Sequence, residues 1–278
     1  MVKKVFDAIL IFCMIVSLFL FILLTSLQHV AFDINFYKAE FDKNKIAVIT
    51  GMDMDDLLKV ITTMQNYLKG KEKTLDIEMK ISGSYQRMFN DKELAHMEDV
   101  KNLFHIGFLV KDFSMVIFIL LFIYFLLTKS LYKVSDYILR GLIGIYVFLG
   151  LFALAMLIDF DKWFTDFHLM FFDNDLWQLD VAKDRLIQMF PLEFFQDAVF
   201  LTLRNATLSI LAISFIAYII KNSKKTSLNR TFCYTHNLFS SSNSDSNSSF
   251  VMISFAKSLS AMRVILCLFS MSIFFADT

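Results

Sequence analysis

The sequence predicts a membrane protein, mainly α: a four-helix transmembrane bundle with a small α+β extracytoplasmic domain. Two observations carry that reading. The 278 residues are 56% hydrophobic, include 33 Phe and have a mean hydropathy of +0.56, far more apolar than an average soluble domain. Four apolar runs, roughly 5–27, 106–128, 139–158 and 198–220, are each about the 20 residues that a helix needs to cross a hydrocarbon core of roughly 30 Å. One Pro and seven Gly in the whole chain leave these runs free of helix breakers.

The first run follows Lys3 and Lys4 and stays apolar through Leu24. It is longer than the core of a secretory signal, about 7–15 residues, and no A-x-A-like site follows, so it is expected to remain as an anchor. Orientation follows from the basic residues beside the spans. Lys3 and Lys4 precede the first, Lys129, Lys133 and Arg140 fill the link between the second and third, and Lys221, Lys224 and Lys225 follow the fourth. All three groups belong on the cytoplasmic side. Segments 28–105 and 159–197 are then extracytoplasmic, and Trp163, Phe164, Phe167, Phe171, Phe172 and Trp177 give the second the aromatic content of a membrane interface.

In the first polar segment Phe32, Ile34 and Phe36 alternate with polar residues, as do Leu75, Ile77, Met79 and Ile81, and both stretches predict half-buried strands. Between them Asp53 is placed to cap a helix whose apolar positions Leu57, Val60, Ile61, Met64 and Leu68 fall at helical spacing, with Gly70 at its stop. A second helix is announced by Asn90 with Glu93 three residues on, the spacing of a capping box. It carries His96 and runs through His105 into the second span. Glu93 and Asp99, each three residues from His96, are in reach of its imidazole as orienting carboxylates that fix its tautomer and raise its pKa.

The second polar segment holds His168 among aromatic residues, and farther on Pro191 stands where a helix can open because its missing N–H needs no partner there. Arg204 lies inside the fourth span, where an ionised residue is a functional candidate by default. Its two readings are a hold on a substrate headgroup or carbonyl, and a side chain snorkelling to the interface.

Composition also excludes. A formal charge of zero without a basic block gives no footprint for nucleic acid. Cys13, Cys233 and Cys267 all lie outside the long polar segments, so no disulfide framework is implied. Glu93-x-x-His96 has the spacing of a carboxylate–histidine metal pair, but a di-iron bundle needs two such motifs and no HExxH occurs, so no metal is expected. His29 and His105, at span ends, read as interfacial.

Three motifs resemble the lipoprotein intramolecular transacylases (Lit), a family of four-span bacterial membrane proteins. They are Glu93-Leu94-Ala95-His96-Met97-Glu98-Asp99-Val100-Lys101, the stretch Phe167-His168-x-x-Phe171-Phe172-x-Asn174-x-x-Trp177, and Phe190-Pro191-x-x-Phe194-Phe195-x-Asp197. Order and spacing agree over about residues 1–222. The resemblance implies an enzyme of the bacterial cytoplasmic membrane acting on diacylglyceryl-modified lipoproteins within membrane lipid. It would move the sn-2 acyl chain to the α-amine of the lipoprotein's N-terminal Cys and leave a lyso-form product. His96 and His168 fall on the family's two functional histidines, with Arg204, Trp177, Asn174 and Phe171 as substrate-binding candidates. Ester-to-amide exchange is favourable, so no cofactor is required. Acid–base catalysis and an acyl-imidazole intermediate both remain open. The runner-up is a non-enzymatic membrane scaffold or sensor with an extracytoplasmic binding domain.

Segment 221–278 reads as a tail. It is Ser- and Asn-rich and disordered from about 226 to 249, followed by an apolar run from Phe250 to Phe275 that Lys257 and Arg263 interrupt.

Overall fold

The computed structural model describes residues 2–129 and 131–238, without the side chains of 224–238. The apolar run 250–275 and the Ser/Asn-rich stretch beyond 238 lie outside the described residues. The elements are α1 (Val2–Phe32), α2 (Ile34–Lys43), α3 (Ile46–Thr50), α4 (Met54–Leu68), β1 (Glu78–Ile81), β2 (Ser84–Arg87), α5 (Asp91–Thr128), α6 (Leu131–Ile158), α7 (Phe160–Phe171), α8 (Arg185–Met189) and α9 (Leu192–Leu238). Four of them, α1, α5, α6 and the part of α9 through Ser223, are long and apolar enough to cross a membrane.

The membrane helices bury one stripe each and turn the other toward lipid. Met14, Ile15, Leu18 and Ile22 of α1, Phe125 of α5, Val134, Ile138, Leu142, Ile145 and Leu149 of α6, and Leu203, Ala206 and Ile210 of α9 form a common core. On α5, Ile106, Leu109, Val110, Phe113, Val116, Ile117, Leu120 and Ile123 make an exposed row at helical spacing, as expected of a lipid-facing side. At Gly141 of α6 an added Cβ would stand 2.5 Å from Cγ1 of Ile15, so only glycine lets α1 and α6 approach this closely. Two lysines reach from α5 to α1: Lys129, just past the end of α5, pairs its Nζ with Asp7 Oδ2 at 2.7 Å, and Lys111 Nζ donates to Gln28 Oε1 at 2.6 Å. Together these bonds tie α5 to α1 near both ends of the bundle.

The two polar segments share a second core. Phe36, Tyr37 and Phe41 of α2, Leu57, Val60, Ile61 and Met64 of α4, and Leu75, Met88, Phe89 and Met97 pack against Leu186 and Met189 of α8 and against Phe190 and Phe194. The segments are therefore halves of one domain. The strand expected at Phe32–Phe36 is absent. Asp33 instead caps α2, its side chain accepting from Asn35 N at 2.9 Å, and Phe36, Tyr37, Glu40 and Phe41 are buried at helical spacing. The alternation at Leu75–Ile81 does form a strand, but only over Glu78–Ile81, and it pairs antiparallel with β2 across a two-residue turn. Both turn residues, Ser82 (φ 47°) and Gly83 (φ 89°), are left-handed, the turn that matches strand twist. The helix expected after Asp53 is α4, although Asp53 makes no side-chain cap bond, and Gly70 beyond its end has φ 73°.

Helix α9 continues to Leu238, so 226–238 is not the coil that its composition suggested. No Pro or Gly falls between Asn222 and Leu238 to stop it.

Candidate active site

His96 lies in the second turn of α5, ten residues before Ile106, or about 15 Å above the lipid-facing row. The helix starts as its sequence dictates. Asn90 Oδ1 accepts from Glu93 N at 3.0 Å, and Glu93 Oε2 accepts from Asn90 N at 2.7 Å, a complete capping box. The other Glu93 oxygen, Oε1, accepts from Leu186 N at 2.6 Å. Both carboxylate oxygens are thus occupied by backbone, and Glu93, 1% exposed, does not orient His96. Its role is to join α5 to α8, and burial raises its pKa.

His168 comes from the last turn of α7. Its Nδ1 lies 2.7 Å from the carbonyl oxygen of Phe164. A carbonyl only accepts, so Nδ1 carries the hydrogen and Nε2 keeps the lone pair. The ring is enclosed by aromatic neighbours: Phe164 at 4.4 Å between centroids, Phe172 at 5.6 Å, and Trp177 stacked at 4.8 Å with 27° between planes. The ring of His96 is 6.1 Å from that of His168 and 5.3 Å from Phe172. Both histidines are buried, at 7% and 8% exposure.

The sequence led us to expect a raised His96 pKa, and the structure reverses that expectation. Burial and the neighbouring His168 push it down to about 4, against a weaker upward pull from Asp99. Burial likewise lowers His168, with the Phe164 carbonyl acting in the opposite direction. Both imidazoles are neutral at pH 7.

The loop after α7 is fixed by polar ties. Asn174 Nδ2 donates to Asp99 Oδ2 at 2.9 Å, and Asn174 Oδ1 accepts from Leu176 N at 3.0 Å. Asp99 and Asn174 thereby clasp α5 to the loop that bears Trp177. Sequence reasoning missed a second clasp. Asp184 Oδ1 accepts from Asn90 Nδ2 at 2.7 Å, and Arg185 donates to the carbonyls of Arg87 and Met88 and to Gln86 Oε1. Only the adjacency of two opposite charges at the start of a short helix hinted at it.

Two candidates lie apart from the histidines. Phe171 is half exposed and meets Phe167, at 4.9 Å between centroids. The Arg204 guanidinium rests on its neighbour Asn205, at 3.3 and 3.4 Å, in the same row of α9 as exposed Leu208, Leu211 and Phe215. Among the described residues no group of three or more His, Cys, Asp and Glu converges as a metal site would require.

Two buried neutral imidazoles, one with a free lone pair on Nε2, in an aromatic-walled site are suited to proton transfer. A family model described as lipoprotein intramolecular transacylase Lit matches residues 12–195. No curated protein matches. A crystal form of the membrane integral lipoprotein intramolecular transacylase Lit from Bacillus cereus is similar at 23% identity with a TM-score of 0.61, over 84% of this chain and 99% of that one. A histidine-to-alanine variant of the same enzyme is similar at 22% identity with a TM-score of 0.66, over 81% of this chain and 97% of that one.

Proposed function

Because the chain belongs to the lipoprotein intramolecular transacylase family, we propose that this enzyme moves the sn-2 acyl chain of a diacylglyceryl lipoprotein onto the α-amine of the same molecule's N-terminal Cys. The observation that carries the reading is the pair of buried, neutral imidazoles 6.1 Å apart, one from each polar segment, with Nε2 of His168 available as a base. The placement of basic residues at the span ends supports an extracytoplasmic site with the N-terminus in the cytoplasm.

In this mechanism the substrate amine, whose ammonium form has an unperturbed pKa of about 7.7–8.0, reacts as the free base: it attacks the sn-2 ester carbon while His168 Nε2 takes a proton from the attacking nitrogen. As the carbon–oxygen bond breaks, the proton held by His168 passes to the departing glycerol oxygen, which His96 holds through its ring N–H. No water and no external acyl donor enter. Nucleophile and ester belong to one substrate molecule, so the site's main task is to fold the headgroup into attack geometry, and this alone supports large effective molarities. Trp177 and Phe172 form the wall against which the ester region packs, with Asn174 and Asp99 holding that wall in place.

The test is mass spectrometry of a synthetic N-terminal diacylglyceryl-Cys lipopeptide before and after exposure to the purified protein. An acyl chain relocated to nitrogen without mass change is expected, and His96→Ala or His168→Ala should abolish it in a folded, membrane-inserted protein. Loss of the acyl mass would mean a hydrolase, and an unchanged lipopeptide would remove the activity. A palmitoyl group trapped on His168 would replace direct attack with a two-step transfer.

A further inference from the structure

Two buried polar atoms at the histidine pair have no partner among the described residues: Nδ1 of His96 and Nε1 of Trp177. The indole is the more informative, because it can only donate. Acceptors on its own loop, and on Asp99 to which that loop is tied, each take another donor. The carbonyl of Trp177 takes Leu179 N, that of Asp175 takes Gln178 N, Asp175 Oδ1 takes Gln178 Nε2, and Asp99 Oδ2 takes Asn174. A buried donor without an acceptor is costly, and phenylalanine would cover His168 equally well without that cost. The polar end of Trp177 is therefore suited to something that binds. Its placement narrows what that is, since the indole lies face to face with the imidazole of His168, 4.8 Å between centroids and 27° between planes.

We propose that Nε1–H of Trp177 donates to the carbonyl oxygen of the sn-2 ester and stabilises the oxyanion that forms on it. The inference rests on the transacylase reading and assigns the electrophilic half of that reaction. When the amine nitrogen bonds to the ester carbon, the π pair of the carbonyl moves to oxygen. The indole donates a hydrogen bond to this oxyanion without giving up its proton. The pair then returns to restore the carbonyl as the bond to the glycerol oxygen breaks, and that oxygen takes the proton carried by His168. A single neutral donor is effective here because the site is buried and the donor is already in place: Asn174 is bonded to Asp99 at 2.9 Å and to Leu176 N at 3.0 Å, which fixes the loop before substrate arrives.

Trp177→Phe keeps a ring on His168 and removes the N–H. With the full chain and the synthetic lipopeptide, kcat should fall by about a hundredfold or more at a KM within about twofold of wild type, the loss typical of a missing oxyanion donor. A kcat within about tenfold of wild type, or a raised KM at unchanged kcat, overturns the proposal. A second measurement needs no variant to fold. The chain has 2 Trp, so indole-¹⁵N labelling gives Trp163 and Trp177 as separate signals. An unreactive lipopeptide with an sn-2 amide should move the Trp177 N–H signal downfield and leave Trp163 in place; an unmoved Trp177 signal overturns the assignment. Wild-type turnover and its loss in His168→Ala report on the transacylase reading separately, so failure of that reading is distinguishable from failure of the donor role.

Discussion

His168 donates its Nδ1–H to the carbonyl oxygen of Phe164, one turn back in the same helix, and so presents Nε2 as its only free lone pair. This bond closes within α7 and needs no second element to hold it. The tautomer is a local property of the helix, whereas the meeting with His96 depends on the tertiary fold.

The lowered histidine pKa values set the pH behaviour. A base whose folded pKa is depressed keeps its neutral form at lower pH, so loss of activity by protonation of His168 should begin below the ordinary value of 6.5. Above that point the rate should climb as the substrate amine deprotonates, near its own pKa of about 7.7–8.0. Stability follows the same sign. Between about pH 6.5 and 4 the unfolded chain binds more protons at His96 than the folded one, so stability is lost as pH falls through that window. Thermal melts in detergent from pH 7 to 4 should show this decline, and His96→Phe should flatten it.

Glu93 is expected to act on stability rather than chemistry. Its two oxygens hold Asn90 N and Leu186 N, and Glu93→Ala leaves both donors unpaired, the second of them buried, at a cost of about 1–3 kcal/mol. The melting temperature should drop while the surviving folded enzyme keeps its pH–rate profile. A shifted profile at unchanged stability would give Glu93 a direct hold on His96.

Arg204 sits in a lipid-facing row and touches Asn205, so Arg204→Leu should leave kcat/KM within about twofold. A tenfold loss with the synthetic lipopeptide would place the guanidinium in the substrate's path.

Gly141→Val should destabilise the bundle by about 1–3 kcal/mol, because its Cβ would meet Ile15 at 2.5–2.9 Å. Ile15→Ala in the same chain should restore part of the loss. Melting of the single and double variants in one detergent checks the coupling; purely additive losses would contradict the contact.

The spans were legible because their signal is cumulative: some twenty apolar residues outweigh any local ambiguity. His96 and His168 were legible through the motifs around them, and the capping box at Asn90 through its spacing. Short patterns misled. Phe32, Ile34 and Phe36 alternate across the joint between two helices, where Asp33 ends one and caps the next, and five residues are too few to separate period two from helical spacing. Glu93 was assigned to His96 on proximity along the helix, but its two oxygens turn instead to the backbone N–H groups of Asn90 and Leu186. The union of the two polar segments through Asp184 and Arg185 depends on contacts between residues nearly a hundred positions apart, which no local pattern encodes.

That union has a further consequence for biogenesis. Glu93 is incomplete without Leu186, and His96 lacks its partner without His168, yet Leu186 and His168 both follow the third span along the chain. A nascent chain that has delivered only its first polar segment carries half of the histidine pair and an unsealed helix start. On the proposed function, activity therefore emerges late, once the loop ahead of the last span has docked, and an arrested or partly inserted chain should show none.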